Sequence, residues 1–94
     1  MFIVLVNYKK PLEEVDKYLE THILYLKEQY AKGSFIASGR RVPRTGGVIL
    51  SKIKDRELLM NILKQDPYYQ NSIADYEVIE FTPSITAEGF EILK

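Results

Sequence analysis

The chain opens on an almost unbroken apolar run, Met1–Tyr8 (MFIVLVNY), rich in β-branched and aromatic residues and followed by Pro11. A strand of this composition has no clear polar face to turn to solvent, so it needs cover on both sides. That makes it a central strand, and the rest of the fold has to be built around it.

The longest periodic segment comes next. Between Glu13 and Lys32, the residues Val15, Tyr18 or Leu19, His22, Leu26 and Tyr30 recur at steps of three and four, which predicts one helix with a single apolar stripe. Glu13, Glu14 and Asp16 fall in the first turn, where the helix dipole favours negative charge, and Gly33 offers a left-handed cap after Lys32. Ser34–Ser38 (SFIAS) reads as a short second strand. Gly39–Gly47 holds Pro43 and the Gly46-Gly47 pair and reads as a hairpin loop, with Val48–Ile53 as the third strand. Asp55 is placed to cap a second helix with the stripe Leu58, Leu59, Ile62 and Leu63. Pro67 is expected to stop that helix, because proline disfavours helical angles at the preceding Asp66. Ala74–Phe81 (ADYEVIEF) is the fourth strand, ended by Pro83, and residues 82–94 form a tail expected to pack on a neighbour or add a partial strand.

Two strand-helix-strand halves in 94 residues predict one α+β domain over residues 1–94, in the order βαββαβ. This is a ferredoxin-like antiparallel sheet with two helices on one face. The other face is left bare. The fourth strand puts Tyr76 and Val78 on one side and Ile79 and Phe81 on the other, and the first strand is apolar on both. A lone copy would therefore expose a large apolar patch, and a face-to-face homodimer is the simplest way to cover it.

Composition narrows the function classes. Lys and Arg balance Asp and Glu at 13 each, so the excess positive charge that nucleic-acid binding needs is missing. No apolar stretch approaches the roughly 20 residues that span a bilayer, and the first run lacks the basic flank of a signal peptide, so a soluble cytoplasmic protein is expected. With no cysteine and one histidine, neither a disulfide framework nor a metal site is expected.

That histidine, His22, interrupts the apolar helical stripe and points toward the sheet. It fits a core imidazole satisfied by a carbonyl or tyrosine. It also fits a general acid or base, since an imidazole suits proton transfer near neutral pH. Asp66, in Gln-Asp-Pro-Tyr-Tyr, fits a local turn before Pro67 or a carboxylate that holds the His22 ring in one tautomer. Ser38 ends the second strand, and Gly39 permits close backbone approach, so both are candidates for ligand contact. Arg40, Arg41 and Arg44 crowd one loop; Arg40, next to Gly39, is the candidate anion contact. Tyr68, beside Asp66, is a candidate pocket wall.

The order of these features resembles the YCII-related family of small bacterial proteins. The resemblance is carried by a first strand, a helix with a central His22, the run Lys32–Gly39 (KGSFIASG), Gly46-Gly47, the Asp66–Tyr68 tripeptide (DPY) and Tyr76–Phe81 (YEVIEF). It implies a dimeric α/β barrel, with His22 and Asp66 as a catalytic pair and Ser38 and Gly39 at the pocket edge. One departure stands out. Family members carry Gly-Pro after the second strand, whereas here Arg40 follows Gly39 and the proline is delayed to Pro43. The family includes a dehydrochlorinase acting on a chlorinated hydroxyquinol and many members without assigned activity.

Two functions are expected from this. The first is a small lyase or isomerase acting on a cyclic or aromatic anionic metabolite, with His22 and Asp66 as the acid-base pair and no cofactor. The second is a non-catalytic ligand-binding or accessory module in which the same pair is structural. A haem role, as in some related dimeric barrels, is a third reading that a Soret band would reveal.

Overall fold

A computed structural model describes residues 1–94. The apolar run forms strand β1 (Phe2–Tyr8) and lies inside the sheet. It pairs with β3 (Gly46–Ser51) on one side and with β4 (Ala74–Glu80) on the other, and β2 (Ala37–Arg40) pairs with β3 at the far edge. The order β2-β3-β1-β4, antiparallel at every step, makes this an α+β fold of the ferredoxin-like type. Register sets the two faces. Val4 pairs with Ile49 and Val78 on the covered side, whereas Ile3 pairs with Leu50 and Ile79 on the opposite side. Helices α1 (Leu12–Lys17), α2 (Leu19–Ala31), α3 (Arg56–Leu63) and α4 (Pro67–Gln70) contribute Val15, Tyr25, Leu59, Leu63 and Tyr68 to a core shared with Phe2 and Val4.

The segment read as one helix is two. At Tyr18 the backbone leaves helical angles (φ −110°, ψ 4°), and its N–H donates to the Val15 carbonyl three residues back. The break lets Val15 enter the core and restarts the stripe at Leu19. Tyr25 and Gln29 become the buried residues of α2, whereas Tyr30, expected on the stripe, is exposed. The C-terminus follows expectation. Gly33 takes φ 76°, its N–H reaches the Tyr30 carbonyl, and Ser34 N–H reaches the Gln29 carbonyl, which closes a Schellman turn.

That turn displaces the second strand. Ser34 and Phe35 are tied back to Gln29, and the Ser51 hydroxyl donates to the Ser34 carbonyl, so the ladder begins only at Ile36 N–H to Leu50 O. The strand expected at Ser34–Ser38 therefore runs Ala37–Arg40, and Gly39 and Arg40 are in it rather than in the loop. The third strand slides likewise, from the expected Val48–Ile53 to Gly46–Ser51. Gly46 and Gly47 are strand residues because close backbone approach, not turning, is what they provide. A Cβ at Gly46 would sit 1.7 Å from the Val6 carbonyl oxygen.

Asp55 caps α3 as expected, accepting from Glu57 and Leu58 N–H at 2.9 and 3.4 Å. Leu59 and Leu63 are buried, but Leu58 is exposed. Pro67 does not itself end α3, which stops at Leu63. It opens α4 as the first helical residue, where a missing N–H costs nothing, and Asp66 is the cap. The fourth strand ends at Glu80, one residue before the expected Phe81, although Phe81 N–H still donates to the Met1 carbonyl. The tail adds no strand; it ends in a 3-10 turn at Glu91–Leu93. Pro83, Phe90 and Leu93 share an apolar cleft with Met1, Ile3 and Leu50 on the sheet's second face.

Candidate active site

His22 lies one turn into α2, and its ring looks across to the start of α4. Its Nδ1 is 2.7 Å from Asp66 Oδ1. The Asp66 carboxylate is completely buried, while the His22 side chain keeps 13% of its surface. Asp66 is aimed by its own capping role. The same Oδ1 that meets His22 accepts the Tyr68 N–H at 2.9 Å. Its second oxygen, Oδ2, accepts the Tyr76 hydroxyl at 2.7 Å. An ionised carboxylate can only accept, so the histidine must place its proton on Nδ1. The neutral ring then carries its lone pair on Nε2, which makes no hydrogen bond within the chain.

Stacking fixes the ring plane. His22 lies flat on Tyr68, with centroids 3.9 Å apart and planes 8° from parallel. Tyr68 meets the edge of Tyr8 at 5.9 Å, and the Arg44 guanidinium sits 6.0 Å from the Tyr8 ring centroid. Arg44 is anchored by Asp16 at 2.6 Å, a hydrogen bond that lowers the Asp16 pKa. Next to the His22–Tyr68 stack is a cleft of about 150 Å³. Leu19, Ile23 and Leu26 of α2 wall it on one side and Val6, Val48 and Ile49 of the sheet on the other.

Of the residues singled out in the sequence, His22, Ser38, Gly39, Arg40 and Tyr68 line this cleft, and Asp66 stands behind it, bonded to His22. Ser38 pairs its hydroxyl with that of Tyr30. The three arginines separate. Arg41 donates to the Asn7 side chain and Arg44 to Asp16, whereas the Arg40 side chain makes no hydrogen bond or ion pair and borders the cleft. The Tyr68 hydroxyl is buried without a partner.

Sequence reasoning missed Tyr76, Tyr8 and Arg44. Tyr76 was open to detection, since it alternates with Val78 on the inner face, where a tyrosine hydroxyl must find an acceptor. Tyr8 and Arg44 meet only through tertiary packing.

Three tyrosines in this region hold their protons above the ordinary phenol value. Burial is the main cause for Tyr76, Tyr25 and Tyr68, and the Asp66 charge adds to each. A raised folded-state pKa contributes stability that is intact below the unfolded value near 10 and is lost above it. Chemical denaturation above that pH is expected to show stability falling by roughly 4 kcal/mol per pH unit if all three titrate only on unfolding. Tyrosinate absorbance that rises before unfolding by more than the chain's four other tyrosines can supply would contradict this.

Residues 1–82 match the model of the YCII-related domain. Among solved structures, the fold resembles 5-chloro-2-hydroxyhydroquinone dehydrochlorinase from Burkholderia phenoliruptrix in complex with 2,5-dihydroxybenzoquinone. The TM-score is 0.71 at 14% identity, over 86% of this chain and 93% of that one. No curated protein sequence matches the chain. No helix is long and apolar enough to cross a membrane. The match to the domain model spans most of the chain, and on it the chain belongs to the YCII-related family.

Proposed function

We propose that the protein is a cofactor-independent lyase or isomerase acting on a small cyclic or aromatic anion, with His22 as general base. The observation that carries this reading is the division of labour on one ring: Nδ1 is bound to a buried carboxylate, which leaves Nε2 bare on a residue that borders the cleft. Nε2 takes a proton from a carbon or hydroxyl of the ligand. Asp66 stabilises the imidazolium that forms. In an isomerisation the proton returns to another atom of the same ligand. In an elimination the bonding pair left by the proton forms the new double bond, and the leaving group departs with its own pair. The dehydrochlorinase activity of the structural neighbour is a reaction of the second kind.

The cleft supports the substrate class. A volume near 150 Å³ is on the order of that of an apolar cavity that holds a benzene ring. Arg40 supplies the counter-charge, Ser38 and the unpartnered Tyr68 hydroxyl supply ligand hydrogen bonds, and Gly39 leaves room for close approach. Deuterium exchange tests the reading. Monocyclic phenols and enols incubated with the protein in heavy water are expected to gain deuterium at an acidic carbon, and a panel that binds without exchange favours a binding module.

A homodimer is part of the same proposal. Ile79, Phe81 and Ile85 are exposed at 44%, 42% and 89%, apolar surface of the kind that marks an interface. Sedimentation at twice the chain mass is expected, and a monomer at micromolar concentration contradicts it.

A further inference from the structure

We infer that Tyr76 is the positioning residue that sets the tautomer of His22, acting through Asp66; this rests on the reading of His22 as the base. The two oxygens of Asp66 are held unequally. Oδ1 receives two donors, the His22 ring at 2.7 Å and the Tyr68 N–H at 2.9 Å. Oδ2 receives one, the Tyr76 hydroxyl at 2.7 Å. The bond between Cβ and the carboxyl carbon of an aspartate turns easily. Of the two donors on Oδ1, the His22 ring is the group to be placed, so the Tyr68 N–H is the one independent restraint there and the Tyr76 hydroxyl on the other oxygen supplies the second. With Oδ2 pinned, Oδ1 lies in line with Nδ1, and the imidazole keeps its proton there.

Tyr76 is suited to be the fixed point. It sits in β4, where it pairs with Val6 of the central strand, and its ring packs 5.7 Å from that of Tyr69. The carboxylate is therefore referenced to the sheet, whereas His22 and Tyr68 reach it from helices. Burial and the neighbouring Asp66 charge keep the phenol protonated, so toward the carboxylate it is the donor. A tyrosine that was simply core would need the same ring contacts but no particular acceptor.

Because His22 is the chain's single histidine, labelling that residue type with nitrogen-15 gives one imidazole, free of overlap. A free neutral histidine side chain prefers its proton on Nε2, so a proton held on Nδ1 is a signature of the carboxylate. Tyr76→Phe removes only the hydroxyl. It is expected to lower the Nδ1–H to Nε2–H ratio about tenfold, the loss of one hydrogen bond to a charged group. Where turnover can be followed, kcat falls and KM holds. A ring-fluorinated tyrosine at position 76, a stronger donor, keeps the wild-type tautomer but draws charge from the shared carboxylate and shifts the Nδ1 proton resonance upfield; it carries the test alone if Tyr76→Phe fails to fold. A Tyr76→Phe spectrum that superimposes on wild type overturns the inference, as does a fluorinated variant whose imidazole resonances do not move. Absence of any exchange or turnover in the wild type removes the base role instead and leaves the tautomer result readable by itself.

Discussion

Replacing His22 with alanine is expected to lower exchange or turnover by about 100- to 10,000-fold, the range that one general base contributes, while the protein stays folded. The second half of this expectation follows from the bonds that remain. Without the imidazole, Asp66 still accepts from the Tyr68 N–H and the Tyr76 hydroxyl, so the buried carboxylate is not left bare. The cost is one charged hydrogen bond and the stacking contact with Tyr68, together about 2–3 kcal/mol. Circular dichroism and a melting curve check the fold; initial rates check the chemistry. A variant that exchanges at the wild-type rate removes His22 from the reaction. A variant that melts far below the wild type at unchanged rate per folded molecule returns the histidine to the structural role that the sequence also permitted.

The largest effect on stability is expected at Gly46. An added Cβ there would meet the Val6 carbonyl oxygen at 1.7 Å, the Val6 carbonyl carbon at 2.9 Å and Asn7 Cα at 3.2 Å. All three are backbone atoms of the central strand, so no side chain can swing aside. Relief requires β1 and β3 to part by more than an ångström at the end of the ladder where Val6 pairs with Gly47 and Asn7 with Gly46. Gly46→Ala is therefore expected to lose more than about 4 kcal/mol, enough to unfold a domain of this size. Gly39→Ala is the control. A Cβ at Gly39 meets nothing within 4 Å, and its φ lies outside the left-handed region, so stability should change by less than about 0.5 kcal/mol. Urea denaturation of the pair decides the matter, and equal midpoints would show that the sheet yields where the geometry says it cannot.

The same glycines show where sequence reading stops. Gly-Gly after a proline reads as a turn, because glycine most often supplies unusual backbone angles. Here the pair supplies absence of bulk, a property visible only once the opposing strand is in place. The second strand lies later than its composition predicts for a related reason. SFIAS has the composition of a strand, but a Schellman turn had already committed Ser34 and Phe35 to the helix end. The break at Tyr18 left no sequence mark, since no glycine or proline stands there.

What was legible rests on strong local physics. The uninterrupted apolar run located the central strand, Gly33 and Asp55 closed and opened helices, and alternation sorted Tyr76 and Val78 from Ile79 and Phe81. For the cleft, a lone histidine on an apolar stripe and an aspartate beside a proline were enough to single out two residues that lie 2.7 Å apart. The third and fourth members of that network were harder to see. Tyr76 needed the strand register, and the flat stack of His22 on Tyr68 needed the start of α4, a helix that the sequence reading did not contain.

One spectrum bears most directly on the account. In nitrogen-15-labelled wild-type protein, the neutral form of the single imidazole is predicted to carry its proton on Nδ1, in a hydrogen bond to Asp66, with Nε2 unprotonated. A spectrum dominated by the Nε2–H form would mean that the carboxylate does not hold the ring and that Nε2 has no lone pair to offer a ligand.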